Sequence, residues 1–496
     1  MESPDRHGSP PRQPAAPRGL LPALLLLVLL AHLPALGGDF VWDDLPLLRD
    51  RPDLHRLETA LPAALSDFFP GQAGAAGGGY LRPVPVLLNA LTWQLSGGAP
   101  LAFRLTNLAL HLGSVALLFG LWRRLGLGAW GAALAAAIFG LHPAQTEAVD
   151  FISGRTDLLA AFFGLAALHG ANRATPRALV GAGLAFLLAL GSKEVALGLL
   201  PVALLVAPDA AARRRSVLVL GGVALVMLGA RAMSGVPAPA RLFFETTDLP
   251  MAVPALAGFY LRLALAPLDL RAVYTLPELA APGLDTALGA ALLVGLLAGA
   301  LRGSARVRLG CVWFGACLLP VLHVLPLSTL VAPRYLYLPL AGAGLLLACA
   351  AARTPERWRR AFVLAPALCL VLTPLRAADW RTESTLWTAE LDADPGSFTA
   401  HQNLGATLAE AGDRAGALDH LRAAAAARPE HALVRRNLIR LEALDLPAEV
   451  RSGVLRVGLA ERPEAEALRQ AAAACDANGA PALAARLRAM ADAAPH

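Results

Sequence analysis

The chain has 496 residues, of which 56% are hydrophobic and only 16% charged, against about 25% charged in an ordinary soluble domain. Apolar runs of membrane-spanning length recur from Leu20 to Leu375, so over most of its length the composition excludes a water-soluble globular protein and requires a bilayer as solvent. The formal charge of +6 does not indicate nucleic acid, because the basic residues sit in short clusters between apolar runs and form no stripe or aromatic-interleaved patch.

The first apolar run, 20–36, follows Arg6, Arg12 and Arg18. It reads as a signal peptide ending near Ala35-Leu36-Gly37 or as an uncleaved first helix, and the train of later spans favours the helix, with residues 1–19 as a cytoplasmic tail. Arginine clusters then mark one side of the membrane: Arg123/Arg124, Arg173/Arg177, Arg213 to Arg215, Arg302/Arg306/Arg308 and Arg353/Arg357/Arg359/Arg360. Apolar runs connect them in pairs, 20–36 with 101–121, 128–143 with 156–171, and 178–191 with 195–208.

Between Arg215 and Arg302 lie three runs, 216–233, 251–268 and 283–301, where an even number must cross. The run 251–268 carries Arg262 and is broken by Pro254 and Pro267, so it is predicted to lie as an interfacial helix. Runs 309–325, 335–352 and 361–376 complete about 11 transmembrane helices, placing the N-terminus in the cytoplasm and everything after residue 378 on the opposite, external face.

The segment 37–100 is external by this count and opens with Asp39-Phe40-Val41-Trp42-Asp43-Asp44. Two adjacent carboxylates beside a bilayer repel each other and are partly desolvated, which raises the proton affinity of one of them and suits a general base for a hydroxyl. Either Asp43 or Asp44 fits, and a plain solvated loop start is the alternative. The same face carries Tyr80-Leu81-Arg82-Pro83 with Asn89 and Trp93, His142-Pro143 running to Glu147-Ala148-Val149, Ser153-Gly154-Arg155-Thr156-Asp157, Lys193-Glu194, and Arg334-Tyr335-Leu336-Tyr337.

Arg82, Arg155, Lys193 and Arg334 thus stand on the face that positive-inside sorting disfavours. A phosphate or pyrophosphate at the membrane surface explains them through charge-assisted hydrogen bonds. Local neutralisation, Arg155 by Asp157 and Lys193 by Glu194, is the other reading. His142 has no second histidine or cysteine at ligand spacing and reads as a hydrogen-bonding residue at a helix end. No resident metal is indicated, and the loop carboxylates leave a divalent cation open. Four of the five cysteines fall in apolar runs and Cys475 stands alone, so there is no disulfide framework. Lys193 is the sole lysine among 43 basic residues, a bias of GC-rich coding that favours a bacterium.

From Asp379 onward the chain turns charged and alanine-rich. Pro395, Pro429 and Pro463 are 34 residues apart, the tetratricopeptide (TPR) period, and Leu404-Gly405, Ala417, Leu421, Ala424 and Pro429 fall where two antiparallel helices touch. Leu438 and Leu455 keep the register, Ile439 stands where a small residue is usual, and about three units are expected over 379–496. They read as a docking surface for protein or peptide, or as a stabilising cap.

Taken together, Phe40 to Asp44, Arg82-Pro83, His142-Pro143 through Val149, Gly154-Arg155 with Asp157-Leu158-Leu159, Lys193-Glu194 and Arg334 to Pro339, followed by TPR units, resemble the transmembrane and TPR repeat-containing O-mannosyltransferase family and its bacterial relatives in the GT-C superfamily. The resemblance covers nearly the whole chain. It implies an all-α fold, a GT-C-like polytopic helix bundle over 20–378 followed by a short TPR α-solenoid. It further implies an inverting glycosyltransferase that takes a sugar from a polyprenyl-phosphate carrier, without a resident cofactor, using Asp43 or Asp44 as base.

Arg82, His142, Glu147, Arg155, Asp157, Lys193, Glu194, Arg334 and Tyr335 would then surround the carrier phosphate. The TPR array is shorter than in eukaryotic members, so glycans, as glycolipid or cell-wall polymers, stand beside protein hydroxyls as acceptors. The expected location is a bacterial inner membrane with the TPR units periplasmic, or the endoplasmic reticulum membrane with them lumenal. A transporter would show repeats among its spans and charges at mid-bilayer, and neither is evident. A TPR-bearing scaffold without catalysis is the remaining rival.

Overall fold

The computed structural model describes residues 17–69, 78–237, 243–244, 248–275, 283–324, 327, 329–460 and 465–493. Arg6, Arg12 and Pro463 lie outside the described residues. Among those described every regular element is helical, and the chain divides into two compact units, 1–382 and 383–496.

In the first unit, helix boundaries follow local chemistry. Helix α1 (Leu20–Leu36) leads, through a loop carrying α2 (Leu57–Ala63), to α3 (Pro83–Ser96). Pro83 opens α3 where an N–H has no partner anyway, and Gly97 closes it at φ 66, the left-handed conformation glycine adopts without strain. Helices α4 (Pro100–Arg124) and α5 (Ala129–Leu141) follow, then the short α6 (Thr146–Val149), α7 (Arg155–Arg173), α8 (Pro176–Leu190), α9 (Leu199–Val206) and α10 (Ala210–Met233). Thr175 caps α8 and Asp209 caps α10 through their side-chain oxygens. The unit ends with α11 (Leu249–Leu265), α12 (Leu284–Arg302), α13 (Ala305–Leu318), α14 (Pro339–Arg353), the single turn α15 (Glu356–Arg359) and α16 (Leu364–Asp379).

Among the described residues four helical stretches are long and apolar enough to cross a membrane: Pro100–Arg124, Ala210–Met233, Leu284–Arg302 and Glu356–Asp379. In the last three only 17%, 11% and 22% of the apolar stretch is buried, and an apolar helix left that open inside a protein requires lipid around it. The chain is a multipass membrane protein. The rest of the bundle consists of shorter apolar helices and one bent pair, Pro143–Val149 with Ile152–Arg173, which turns by 95°. Gly154 permits that bend, since a Cβ there would sit 2.6 Å from the carbonyl oxygens of Glu147 and Ala148.

One end of the bundle collects the arginine clusters. Arg306 donates to the Gly126 carbonyl (2.6 Å), Arg123 to that of Leu127 (2.8 Å), and Arg353 to Ser304 Oγ (3.1 Å). At the other end, Arg231 at the close of α10 donates to the Gly79 carbonyl (2.7 Å), and the Asp39 N–H donates to the Arg381 carbonyl (2.8 Å). The chain therefore leaves the bundle at the end where the first loop lies. Helix α11, expected to lie flat at the interface, instead packs antiparallel along the first half of α12. Gly258 meets the Asp285 backbone and Gly289 meets that of Pro254, an approach open only to residues lacking a side chain. Leu256, Phe259, Tyr260 and Leu263, on the opposite face of α11, are buried, with the Tyr260 hydroxyl accepting from the Ala332 N–H (3.4 Å) and Phe259 edge-on to Tyr274 (5.0 Å).

The second unit is a helical repeat of seven helices among its described residues, α17 (Glu383–Ala393), α18 (Phe398–Glu410), α19 (Arg414–Ala427), α20 (Ala432–Glu442), α21 (Ala448–Gly458), α22 (Ala465–Ala477) and α23 (Pro481–Asp492). Ser397 and Asp413 cap α18 and α19, and Leu404, Gly405, Ala417, Leu421 and Ala424 are buried where these two helices meet. Ile439, bulky where TPR units are small, is accommodated because its partner position is Gly458.

Candidate active site

The first loop begins under constraint. Trp42 has φ 51, a left-handed conformation unusual for a bulky residue and worth about 1–3 kcal/mol of strain. Its ring stacks on Phe151 (centroids 5.8 Å apart), which stacks in turn on Trp380 (5.1 Å). The two carboxylates that follow Trp42 have different surroundings.

Asp44 points inward and is fully buried. Its Oδ1 accepts from the Ser153 N–H (2.7 Å) and hydroxyl (2.6 Å), and its Oδ2 from the Val41 N–H (3.1 Å). Burial pushes its pKa up to about 7, against the lowering effect of these bonds and of Arg104. Asp43 instead lines a cavity of about 80 Å³ together with Tyr80, Arg82, Ser153, Lys193, Glu194, Arg334 and Tyr335. That volume holds about two or three waters.

Three cation–carboxylate pairs frame the cavity, and none is between sequence neighbours. Arg82 Nη2 donates to Glu194 Oε1 (2.8 Å), with its guanidinium over the Tyr80 ring (4.3 Å). Lys193 Nζ reaches both Asp157 oxygens (2.7 and 2.8 Å) and lies over the Tyr335 ring (5.0 Å). Arg334 bonds Glu147 through its guanidinium and its backbone N–H (2.9 Å). Burial lowers the Lys193 ammonium below its ordinary value, with Asp157 opposing. For Arg334 burial also lowers the pKa, but Glu147, with Tyr335, Asp157 and Asp43 behind it, raises it above the ordinary value overall. The alternative reading, local neutralisation of Arg155 by Asp157 and of Lys193 by Glu194, is not the pairing found: Asp157 pairs with Lys193 and Glu194 with Arg82.

Besides Asp44, two residues named from the sequence, Arg155 and His142, neither line the cavity nor pair with a cation that does. Arg155 is buried behind it and donates to Asn107 Oδ1 (3.0 Å), Asn89 Oδ1 (2.7 Å) and the Phe103 carbonyl (3.0 Å), fastening α7 to α3 and α4. His142 is buried at the end of α5, its Nε2 bonded to the Ala264 carbonyl (3.1 Å) while Nδ1 accepts from the Ala144 N–H (3.2 Å).

Sequence reasoning passed over Arg104, which is the hub of the loop. Its guanidinium donates to the carbonyls of Asp39, Asp150 (2.6 Å) and Trp380 (2.9 Å), joining the first loop, the bend before α7 and the end of α16. The signal was present, since an arginine inside the run 101–121 is costly in lipid and needs a reason. Among the described residues no cluster of three metal-ligating side chains occurs.

A protein O-mannosyl-transferase of Caenorhabditis elegans is 28% identical over 438 residues, covering 81% of this chain and 62% of its own length. The human protein O-mannosyl-transferase TMTC4 is 34% identical over 149 residues, 27% of this chain and 20% of the human protein. This chain is a relative of the transmembrane and TPR repeat-containing protein O-mannosyl-transferases. The Drosophila melanogaster protein O-mannosyl-transferase Tmtc2 is likewise 34% identical, over 27% of this chain and 14% of the fly protein. The chain thus spans less than two thirds of the length of each of these relatives. No family model matches it, and no solved structure does.

Proposed function

We propose that this protein is a membrane glycosyltransferase that moves a sugar, mannose by analogy with the names of its relatives, from a polyprenyl-phosphate-linked donor to a hydroxyl acceptor. The observation that carries the reading is the shared cavity, in which a carboxylate, Asp43, faces Arg82, Lys193 and Arg334 at one end of an apolar bundle. A base for a hydroxyl and cations for a departing phosphate are what this transfer needs, and the donor's lipid tail has the bilayer beside it.

In this reading Asp43 takes the acceptor's hydroxyl proton as the oxygen forms its bond to the anomeric carbon. The bond from that carbon to the carrier phosphate breaks, the phosphate keeps the electron pair, and its growing charge is held by the cations. A single displacement inverts the anomeric centre. Asp44, engaged by Ser153 and Val41, positions the loop and takes no proton from substrate.

All three cations are committed to carboxylates, and the cavity is too small for a sugar phosphate. Donor binding therefore exchanges at least one ion pair for phosphate contacts and parts the walls, with Arg82–Glu194 the best placed because Glu194 is the most exposed of the three acids (42%). Positive-inside sorting of the arginine-rich end puts this chemistry on the external face, periplasmic in a bacterium and lumenal in an endoplasmic reticulum. The TPR-like unit would bind the acceptor, protein Ser/Thr or glycan.

The test is transfer by the detergent-solubilised protein from a synthetic polyprenyl-phosphate mannose to a Ser/Thr-rich peptide or a glycan. Wild type is expected to transfer and the Asp43→Asn/Asp44→Asn double variant is not. A wild-type protein inert with every polyprenyl-phosphate sugar would reject the enzyme reading in favour of a scaffold, and a double variant of full activity would reject the loop carboxylates as the base.

A further inference from the structure

The arginine-rich end of the bundle, opposite the candidate active site, holds a second and much larger cavity. It measures about 1070 Å³, at the top of the roughly 300–1,000 Å³ range of small-molecule sites. Its walls are apolar, with Leu24 on α1, Trp130, Ala133 and Leu141 on α5, and Pro366 and Leu370 on α16. The lining runs along α5 from Gly128 to Leu141, about 20 Å at 1.5 Å per residue, which exceeds the roughly 15 Å of half a hydrocarbon core.

Charge is confined to the mouth. Arg306, Arg359 and Arg360 line it and are exposed, with Glu356 as the one acid. Arg306 keeps a bond to the Gly126 carbonyl (2.6 Å) and Arg359 a long one to that of Thr354 (3.4 Å), which leaves donors on both guanidinium groups. Trp130 and Trp358 are 73% and 61% exposed at this same end, the position of tryptophans at a membrane–water boundary.

We propose that this cavity binds an anionic glycerophospholipid of the leaflet facing the arginine clusters, with an acyl chain along α5 and the phosphate held by Arg306, Arg359 and Arg360. A peptide is a poor occupant, because the walls give its backbone no hydrogen-bonding partners. A polyprenyl phosphate shares the anionic headgroup, but its phosphate is needed at the opposite end of the bundle; that exclusion alone rests on the glycosyltransferase reading. Zwitterionic lipid fits the walls and not the mouth, whose charge is net positive.

Native mass spectrometry of the full chain in detergent, supplied with phosphatidylglycerol, phosphatidylcholine or a synthetic polyprenyl phosphate, tests this without measuring sugar transfer, so it fails or succeeds independently of the enzyme assay. Phosphatidylglycerol is expected to be retained in preference to the other two. The Arg359→Gln/Arg360→Gln variant should lower that preference by on the order of tenfold. Ala367→Phe, at an exposed position lining the cavity, should reduce retention of every lipid while leaving the lipid-free melting temperature unchanged. Equal retention of phosphatidylcholine, stronger retention of polyprenyl phosphate, or indifference to either variant would overturn the proposal.

Discussion

Asp44 and Ser153 lie 109 positions apart and meet twice, through the Ser153 N–H at 2.7 Å and its hydroxyl at 2.6 Å, both on one carboxylate oxygen. This clamp joins the first loop to the bend before α7, so the carboxylate that serves as anchor and the one that faces the cavity are chain neighbours with opposite surroundings.

Because burial raises the Asp44 pKa to about 7 from 3.8, the folded state holds this proton more tightly than the unfolded one. Its contribution to stability is full below about pH 4 and is lost as pH rises through 7. Thermal melts of the purified protein between pH 5 and 8 should therefore fall less steeply for Asp44→Asn than for wild type. Parallel pH profiles for the two would show that Asp44 is not the titrating anchor.

The Arg334–Glu147 pair is buried, with side-chain exposures of 14% and 2%. Removing one partner strands a charge, so Arg334→Met or Glu147→Leu alone should cost about 3–5 kcal/mol, and the double variant less than either. Chemical denaturation of the four proteins as a double-mutant cycle reads this directly. Strict additivity would mean that the two side chains do not depend on each other.

In the TPR-like unit, a Cβ on Gly405 would lie 2.8 Å from Leu421 Cγ and 3.2 Å from the Leu421 backbone nitrogen. Leu421 is fully buried and cannot withdraw, so Gly405→Ala should destabilise this unit by about 1–3 kcal/mol. Limited proteolysis of the intact chain should show faster cleavage within 383–496 and unchanged cleavage in the bundle. Unchanged rates throughout would place the α18–α19 contact elsewhere.

What the sequence made legible was periodic or sorted by compartment. The 34-residue proline spacing and the Leu404-Gly405 contact are local patterns, and the arginine clusters report which end of the bundle they occupy. The crossed pairing of Arg82 with Glu194, Lys193 with Asp157 and Arg334 with Glu147 was not legible, because it depends on how distant helices pack. Nor were the different surroundings of Asp43, which lines the cavity, and Asp44, which is buried against Ser153. The flat interfacial position expected for 251–268 missed that Gly258 and Gly289 let two backbones touch.

In the proposed reaction Asp43 takes the acceptor's proton beside cations that hold the donor phosphate. The most direct test of this is the steady-state rate of sugar transfer by Asp43→Asn, with donor affinity measured on the same preparation. The expected result is a kcat lowered by about 10² to 10⁴, donor KM within a few-fold of wild type and an unchanged melting temperature. Wild-type kcat in Asp43→Asn would contradict it.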